Sequence, residues 1–170
     1  MKIFIFGPPG SGKTTLATRL SKMLSVKHFE LDELFFEFEK GTDALVEKRE
    51  QVIEEILSNN KWIIEGMYLD SWLEKIIQKS DHIFLLNPPK ALSYFRLSKR
   101  TIKRMIKLEK HERKSDFEVL IYLLNHIRTF KNKKIEFINR ISIERKTVFE
   151  SKWKSNIINL LKEKSGDKNL

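Results

Sequence analysis

An apolar run, Ile3-Phe4-Ile5-Phe6, ends abruptly at Gly7-Pro8-Pro9-Gly10-Ser11-Gly12-Lys13-Thr14 and gives way to Thr15-Leu16-Ala17-Thr18-Arg19-Leu20-Ser21-Lys22-Met23-Leu24. Four apolar residues without alternation read as a strand buried on both faces. Leu16, Leu20 and Leu24 recur every four residues, as the buried side of a helix does. Between them stands G-x4-G-K-[ST], the Walker A phosphate loop, in the setting it requires. Its glycines let backbone N–H groups curl around an anion, and the following helix points its N-terminus at the same spot. Gly7, Pro8, Pro9, Gly10, Ser11, Gly12, Lys13, Thr14 and Thr15 are therefore the expected cradle for a nucleoside triphosphate. Lys13 is placed to reach the β and γ phosphates, and the Thr14 hydroxyl to ligate Mg²⁺.

The rest of the composition narrows the class. With 170 residues and 41% apolar content, the chain suits one domain, expected over 1–164 with a frayed tail at 165–170. No cysteine is present, which excludes a disulfide framework and thiolate metal sites. The four histidines, His28, His82, His111 and His126, lie too far apart in sequence to suggest a metal cluster. No apolar run approaches the ~20 residues that a bilayer requires, and no signal-peptide layout precedes the first strand. The expectation is a cytoplasmic protein without a membrane role, monomeric or homodimeric. A formal charge of +10 points to anionic partners.

Along the chain, apolar runs alternate with helical periodicity. Lys27 to Leu31 reads as a second strand ending at Asp32-Glu33. A helix opens at Gly41-Thr42 and carries Leu45, Val46, Val52, Ile53, Ile56 and Leu57 on one face. Lys61 to Glu65 is a third strand stopped by Gly66, and Leu69, Trp72, Leu73, Ile76 and Ile77 mark an amphipathic helix. His82 to Leu86 is a fourth strand. A basic helical stretch from Ala91 to Lys114 follows, and Ser115-Asp116-Phe117-Glu118 matches a capping box that starts a new helix through about Phe130. Lys131 to Lys134 reads as a solvated turn, Lys146 to Phe149 as a fifth strand, and Ser151 as the cap of a last helix. Strands alternating with helices imply a parallel sheet with helices on both faces.

The loop GPPGSGKTTLA, the acidic pair Asp32-Glu33, Ile64-Glu65-Gly66 after strand three and the arginines after strand four together resemble the small P-loop kinases, the adenylate kinase-like group that includes shikimate kinase. HFELDEL, WIIEGMY, HIFLLNPP and the register Leu92-x3-Arg96-x3-Arg100-x3-Arg104 look most like the bacterial DNA topology modulation (FlaR-like) kinases. That resemblance implies a three-layer α/β/α P-loop NTPase fold, a five-stranded parallel sheet in the order 2-3-1-4-5, ATP and Mg²⁺ as cofactors, and a basic helical lid at about 96–114. Two positions depart from it: Glu65 and Asn87 stand where those relatives usually carry aspartate. Asn87 is accordingly given no metal role, and the Mg²⁺-side carboxylate falls to Glu65 or Asp32.

Phosphoryl transfer needs positioning and charge stabilisation more than covalent chemistry. Asp32, at the carboxyl edge of the sheet, is placed to orient an acceptor hydroxyl or accept its proton, or else to cap the next helix. Arg96, Arg100 and Arg104 share one helix stripe and suit bidentate contact with phosphate oxygens, or else form a solvated face. Phe35 and Tyr68 are acceptor-side candidates beside Asp32 and Glu65, with core packing as the other reading of both aromatics. The expected function is an ATP-dependent phosphotransferase acting on a nucleotide or nucleoside-like small molecule. The alternative is a nucleic-acid binder with NTP hydrolysis as a switch, which the charge favours but no RRM, helix-turn-helix or zinc signature supports. A GTPase would want N-K-x-D, which is missing.

Overall fold

The computed structural model describes residues 1–32, 43–70, 72–106 and 110–165. In chain order the elements are β1 (Lys2–Phe6), α1 (Lys13–Leu24), β2 (His28–Glu30), α2 (Asp43–Ser58), β3 (Trp62–Gly66), α3 (Leu73–Lys79), β4 (His82–Leu86), α4 (Lys90–Met105), α5 (Lys110–Ile143), β5 (Val148–Ser151) and α6 (Lys154–Ser165). The five strands form one sheet in the order β2-β3-β1-β4-β5, and every pairing is parallel. This is the expected order.

Alternation along the strands splits the core in two. Ile3, Ile5, Ile63, Phe84 and Leu86 face α1 and α6, where Leu16, Ala17, Leu20, Ile157, Ile158 and Leu161 meet them. Phe4, Phe6, Trp62, Ile64, Ile83 and Leu85 face α2, α3 and α5. Phe137 of α5 stacks on Phe6 with ring centroids 3.9 Å apart and meets Phe4 edge-on at 5.9 Å. The result is three layers, helices on both sides of a sheet whose central strand is buried from Ile3 to Phe6.

The largest correction to the sequence reading lies in α5. Ser115 falls inside this 34-residue helix, so the capping box there is not a helix start; α4 ends at Met105 and α5 is described from Lys110. Lys131 to Lys134 are helical rather than a turn. Ile127, Phe130, Phe137 and Ile141 continue one buried face straight through them. The lysines ride the solvated side, where Lys134 pairs with Glu150 at 2.6 Å. A continuous apolar stripe therefore overrides the local turn signal at Lys131 to Lys134. Smaller shifts occur at strand ends: β2 stops at Glu30, β3 includes Gly66, and β5 runs on to Ser151. Leu31 and Asp32 are already helical, and the residues that Asp32 was expected to cap lie outside the described ones. Ser151 does not sit next to α6: its hydroxyl closes a turn with the Trp153 backbone at 2.9 and 3.1 Å.

Candidate functional site

The loop between β1 and α1 is shaped by three glycines. A Cβ on Gly7 would lie 2.4 Å from the Leu86 carbonyl oxygen of β4, and one on Gly10 would lie 2.5 Å from the Ser93 carbonyl oxygen of α4. Gly10 and Gly12 also have φ of 72° and 95°, the left-handed region that side chains disfavour. The chain thus threads between β4 and α4 and turns into α1, where the Leu16 N–H donates to the Gly12 carbonyl at 3.0 Å.

Lys13, the first residue of α1, is 7% exposed. Its Nζ donates to the Pro8 carbonyl at 3.3 Å and lies 3.9 Å from Glu65 Oε2. An ammonium so buried is costly without a matching anion, and Glu65 is the carboxylate nearest to it. The Thr14 hydroxyl donates to Glu65 Oε1 at 2.5 Å and lies 3.5 Å from Glu30 Oε2. Glu30 and Glu65 are register partners in the β2–β3 ladder, an arrangement of like charges that destabilises a sheet unless a cation joins them. Burial pushes the Glu65 carboxyl above the usual carboxylate range, against the pull of Lys13 and Thr14; Asp32 and Glu30 add to the rise. The oxygen-only set of Thr14, Glu65 and Glu30 fits Mg²⁺, and a cation there would offset the cost of burying Glu65.

On the other side of the loop, Gly10, Lys13, Thr14, Asp32, Arg96 and Arg100 line a cavity of about 300 Å³. Arg96 Nη1 donates to the Ser11 carbonyl at 3.1 Å. Residues from β1–α1, the end of β2 and α4 thus meet at the carboxyl edge of the sheet. The α4 backbone includes Arg104, but its side chain lies outside the described residues, as does Phe35. Tyr68 packs against the core with its ring 6.1 Å from Trp72.

Several residues of the site escaped the sequence reading. A second cavity, of about 350 Å³, is lined by Thr15, Arg19, Arg96, Lys152, Trp153 and Lys154, among others. Arg96 is shared between the two cavities. Burial and the charges of Arg96 and Arg19 push the Lys154 ammonium down. The signal for this loop was its position directly after β5, at the edge where ligands bind in open α/β sheets. Glu30 was missed because its partner Glu65 lies 35 residues away. His28 stands with Glu30 and Glu65, one ligand atom of each within 4.8 Å of the others, and among the described residues no other histidine is part of that group.

Residues 3–120 match the AAA domain family model. A cytidylate kinase of Sulfurisphaera tokodaii is 36% identical over 114 residues, 59% of this chain and 62% of its own length. A bifunctional shikimate kinase/3-dehydroquinate synthase of Thermotoga maritima is 26% identical over 54% of this chain and 21% of its own length. The chain thus spans under two thirds of these curated relatives. Among solved structures, a deoxyadenosine kinase from M. mycoides with bound dATP superposes with a TM-score of 0.61 at 17% identity, covering 98% of this chain and all of that one. A shikimate kinase from Bacteroides thetaiotaomicron gives 0.59 at 17% identity, with 98% of each chain covered. Those two likenesses show the fold, and the family match extends over well more than half of the sequence, so the chain belongs to the AAA domain family of P-loop proteins.

Proposed function

We propose that the chain is a Mg²⁺-dependent phosphotransferase of the adenylate kinase-like group that moves the γ-phosphoryl group of ATP onto a small nucleotide or nucleoside-like acceptor. The observation that carries this reading is the single cavity into which Lys13, Thr14, Asp32, Arg96 and Arg100 converge. Cradle, carboxylate and guanidinium groups, the parts the reaction needs, are brought together from three separate segments. The kinds of relatives matched, cytidylate kinases and a deoxyadenosine kinase structure, favour a nucleotide or nucleoside acceptor.

In this mechanism the loop N–H groups and Lys13 hold the β and γ phosphates. The Trp153 ring, with Arg19 and Lys154, receives the base and sugar in the second cavity, reached past Thr15. Asp32 orients the acceptor hydroxyl and takes its proton as the oxygen bonds to the γ-phosphorus and the bond to the bridging oxygen breaks, releasing ADP. Arg96 and Arg100 meet charge on the transferring group, where fixed cations act most strongly. Thr14, Glu65 and Glu30 would hold Mg²⁺, which would supply neutralisation of phosphate charge.

The test is a transfer screen with labelled ATP against pooled nucleosides, nucleoside monophosphates, shikimate-like acids and short oligonucleotides. Label in a nucleoside or nucleotide supports the reading, and label in none overturns it. With the acceptor in hand, Asp32→Asn should lower kcat by about 10²-fold with ATP affinity retained.

A further inference from the structure

We propose that His28, Glu30 and Glu65 form a binding site for one divalent transition-metal ion of the Zn²⁺ or Co²⁺ type, at the β2–β3 edge of the sheet. His28 and Glu30 are two apart on β2 and so present their side chains to the same face. Parallel register sets Glu30 beside Glu65 and His28 beside Ile63, whose side chain packs on the α1 face of the sheet. Three groups distant or alternate in sequence are thereby delivered to one spot, with one ligand atom of each within 4.8 Å of the others.

The role of His28 is not explained by Mg²⁺ binding. Its Nε2 is closed off from solvent and has no hydrogen-bond partner among the described residues, yet it lies 3.4 Å from Glu30 Oε1. A buried imidazole nitrogen without a partner wastes hydrogen-bonding capacity. Mg²⁺ is a hard ion that takes oxygen and would leave the nitrogen as it stands. Imidazole joined to carboxylates suits zinc and its neighbours, and three protein ligands with a position left over is the pattern of an open zinc site. Because Glu30 and Glu65 also serve the proposed Mg²⁺ position, an ion on His28 would compete with Mg²⁺ for them. That consequence rests on the phosphotransferase reading, whereas the binding itself does not.

The experiment uses the untagged chain without nucleotide, titrated with Zn²⁺ in a calorimeter. One equivalent should bind, and His28→Gln should weaken it by about tenfold or more. A second measurement needs no variant: substoichiometric Co²⁺ should broaden the imidazole proton resonances of His28 before those of His82, His111 and His126. Equal Zn²⁺ affinity in His28→Gln, no binding by the wild type, or Co²⁺ acting first on another histidine would each overturn the proposal. Neither readout involves transfer, so an inactive chain that binds Zn²⁺ through His28 would count against the proposed function and not against the site.

Discussion

Two regions of this molecule carry its positive charge in opposite ways. At the start of α1, Lys13 is nearly sealed, 7% exposed, and flanked by a carboxylate that is 2% exposed. On α4, the bases Lys90, Arg96, Lys99, Arg100, Lys103 and Arg104 occur without a single acid. There Lys99 and Lys103 stand in solvent beside Phe95, Ile102 and Ile106, which are 63%, 55% and 73% exposed. Charge density is higher on α4, but desolvation is greater at α1. Electrostatic interactions gain strength where water is excluded, so the proposed site is assigned to where few charges are buried together and not to where many are displayed. Arg96 and Arg100 belong to the first region although they sit on α4, because they reach the loop cavity.

The sharpest test of that distinction removes the buried cation. Lys13→Ala should fold with an unchanged far-UV spectrum and lose about 10³-fold in kcat/KM, the scale of losing a fixed charge aimed at the transferring group. Near-native turnover would put the chemistry elsewhere. Next in size, Arg100→Ala should lower kcat by about 10²-fold, while the double change Lys99→Ala with Lys103→Ala should stay within about twofold. If the double variant instead abolished salt-dependent oligonucleotide binding and transfer was never detectable, the displayed charge would be the functional one, since phosphate neutralisation carries a log–log salt slope of roughly −0.7 to −0.9 per contact. A smaller effect is expected at the base pocket. Trp153→Ala should raise the KM for ATP about tenfold with kcat retained, in line with base stacking worth about 1–3 kcal/mol.

The subtlest prediction concerns the cost of burial itself. Glu65 has a folded-state pKa raised above its ordinary value of 4.5, chiefly by desolvation. Its neutral form is the one the fold favours, so that contribution to stability is complete below the ordinary value and is lost as pH rises through the raised one. Glu65→Gln keeps the shape and an acceptor for Thr14 without that loss. Its melting temperature relative to wild type should therefore climb as pH goes from 4.5 toward neutrality, measured without Mg²⁺ or nucleotide. Saturating MgATP should remove the difference by stabilising the wild type. A pH-independent difference would mean that Lys13 already neutralises Glu65 in full.

How far the sequence could be read depended on how local the determining interactions were. The β1–loop–α1 unit was legible in every residue, because an apolar run, glycines at strained positions and a helical period all lie within 22 residues of one another. Arg96 and Arg100 were legible as a stripe, and α4 does carry them to the loop. The helix α5 was misread at Ser115 and at Lys131 to Lys134. Polar residues at those points mimic a cap and a turn; at Lys131 to Lys134 the docking of Phe130, Phe137 and Ile141 on the sheet overrides the turn signal, while Ser115 lies inside the helix.

The sequence by itself determined that a Walker A loop joins the first strand to a helix, and that strands and helices alternate to build a parallel sheet. These follow from backbone sterics and periodicity, which act over a few residues. Only the tertiary structure decided that Glu30 stands beside Glu65 under the Thr14 hydroxyl, that His28 joins them, and that Trp153 and Lys154 close a second cavity against Arg19 and Arg96. Parallel strands are joined through long crossovers, so which side chains become neighbours is set by hydrogen-bond register between segments tens of residues apart. Register of that kind leaves no local trace in a single chain's sequence.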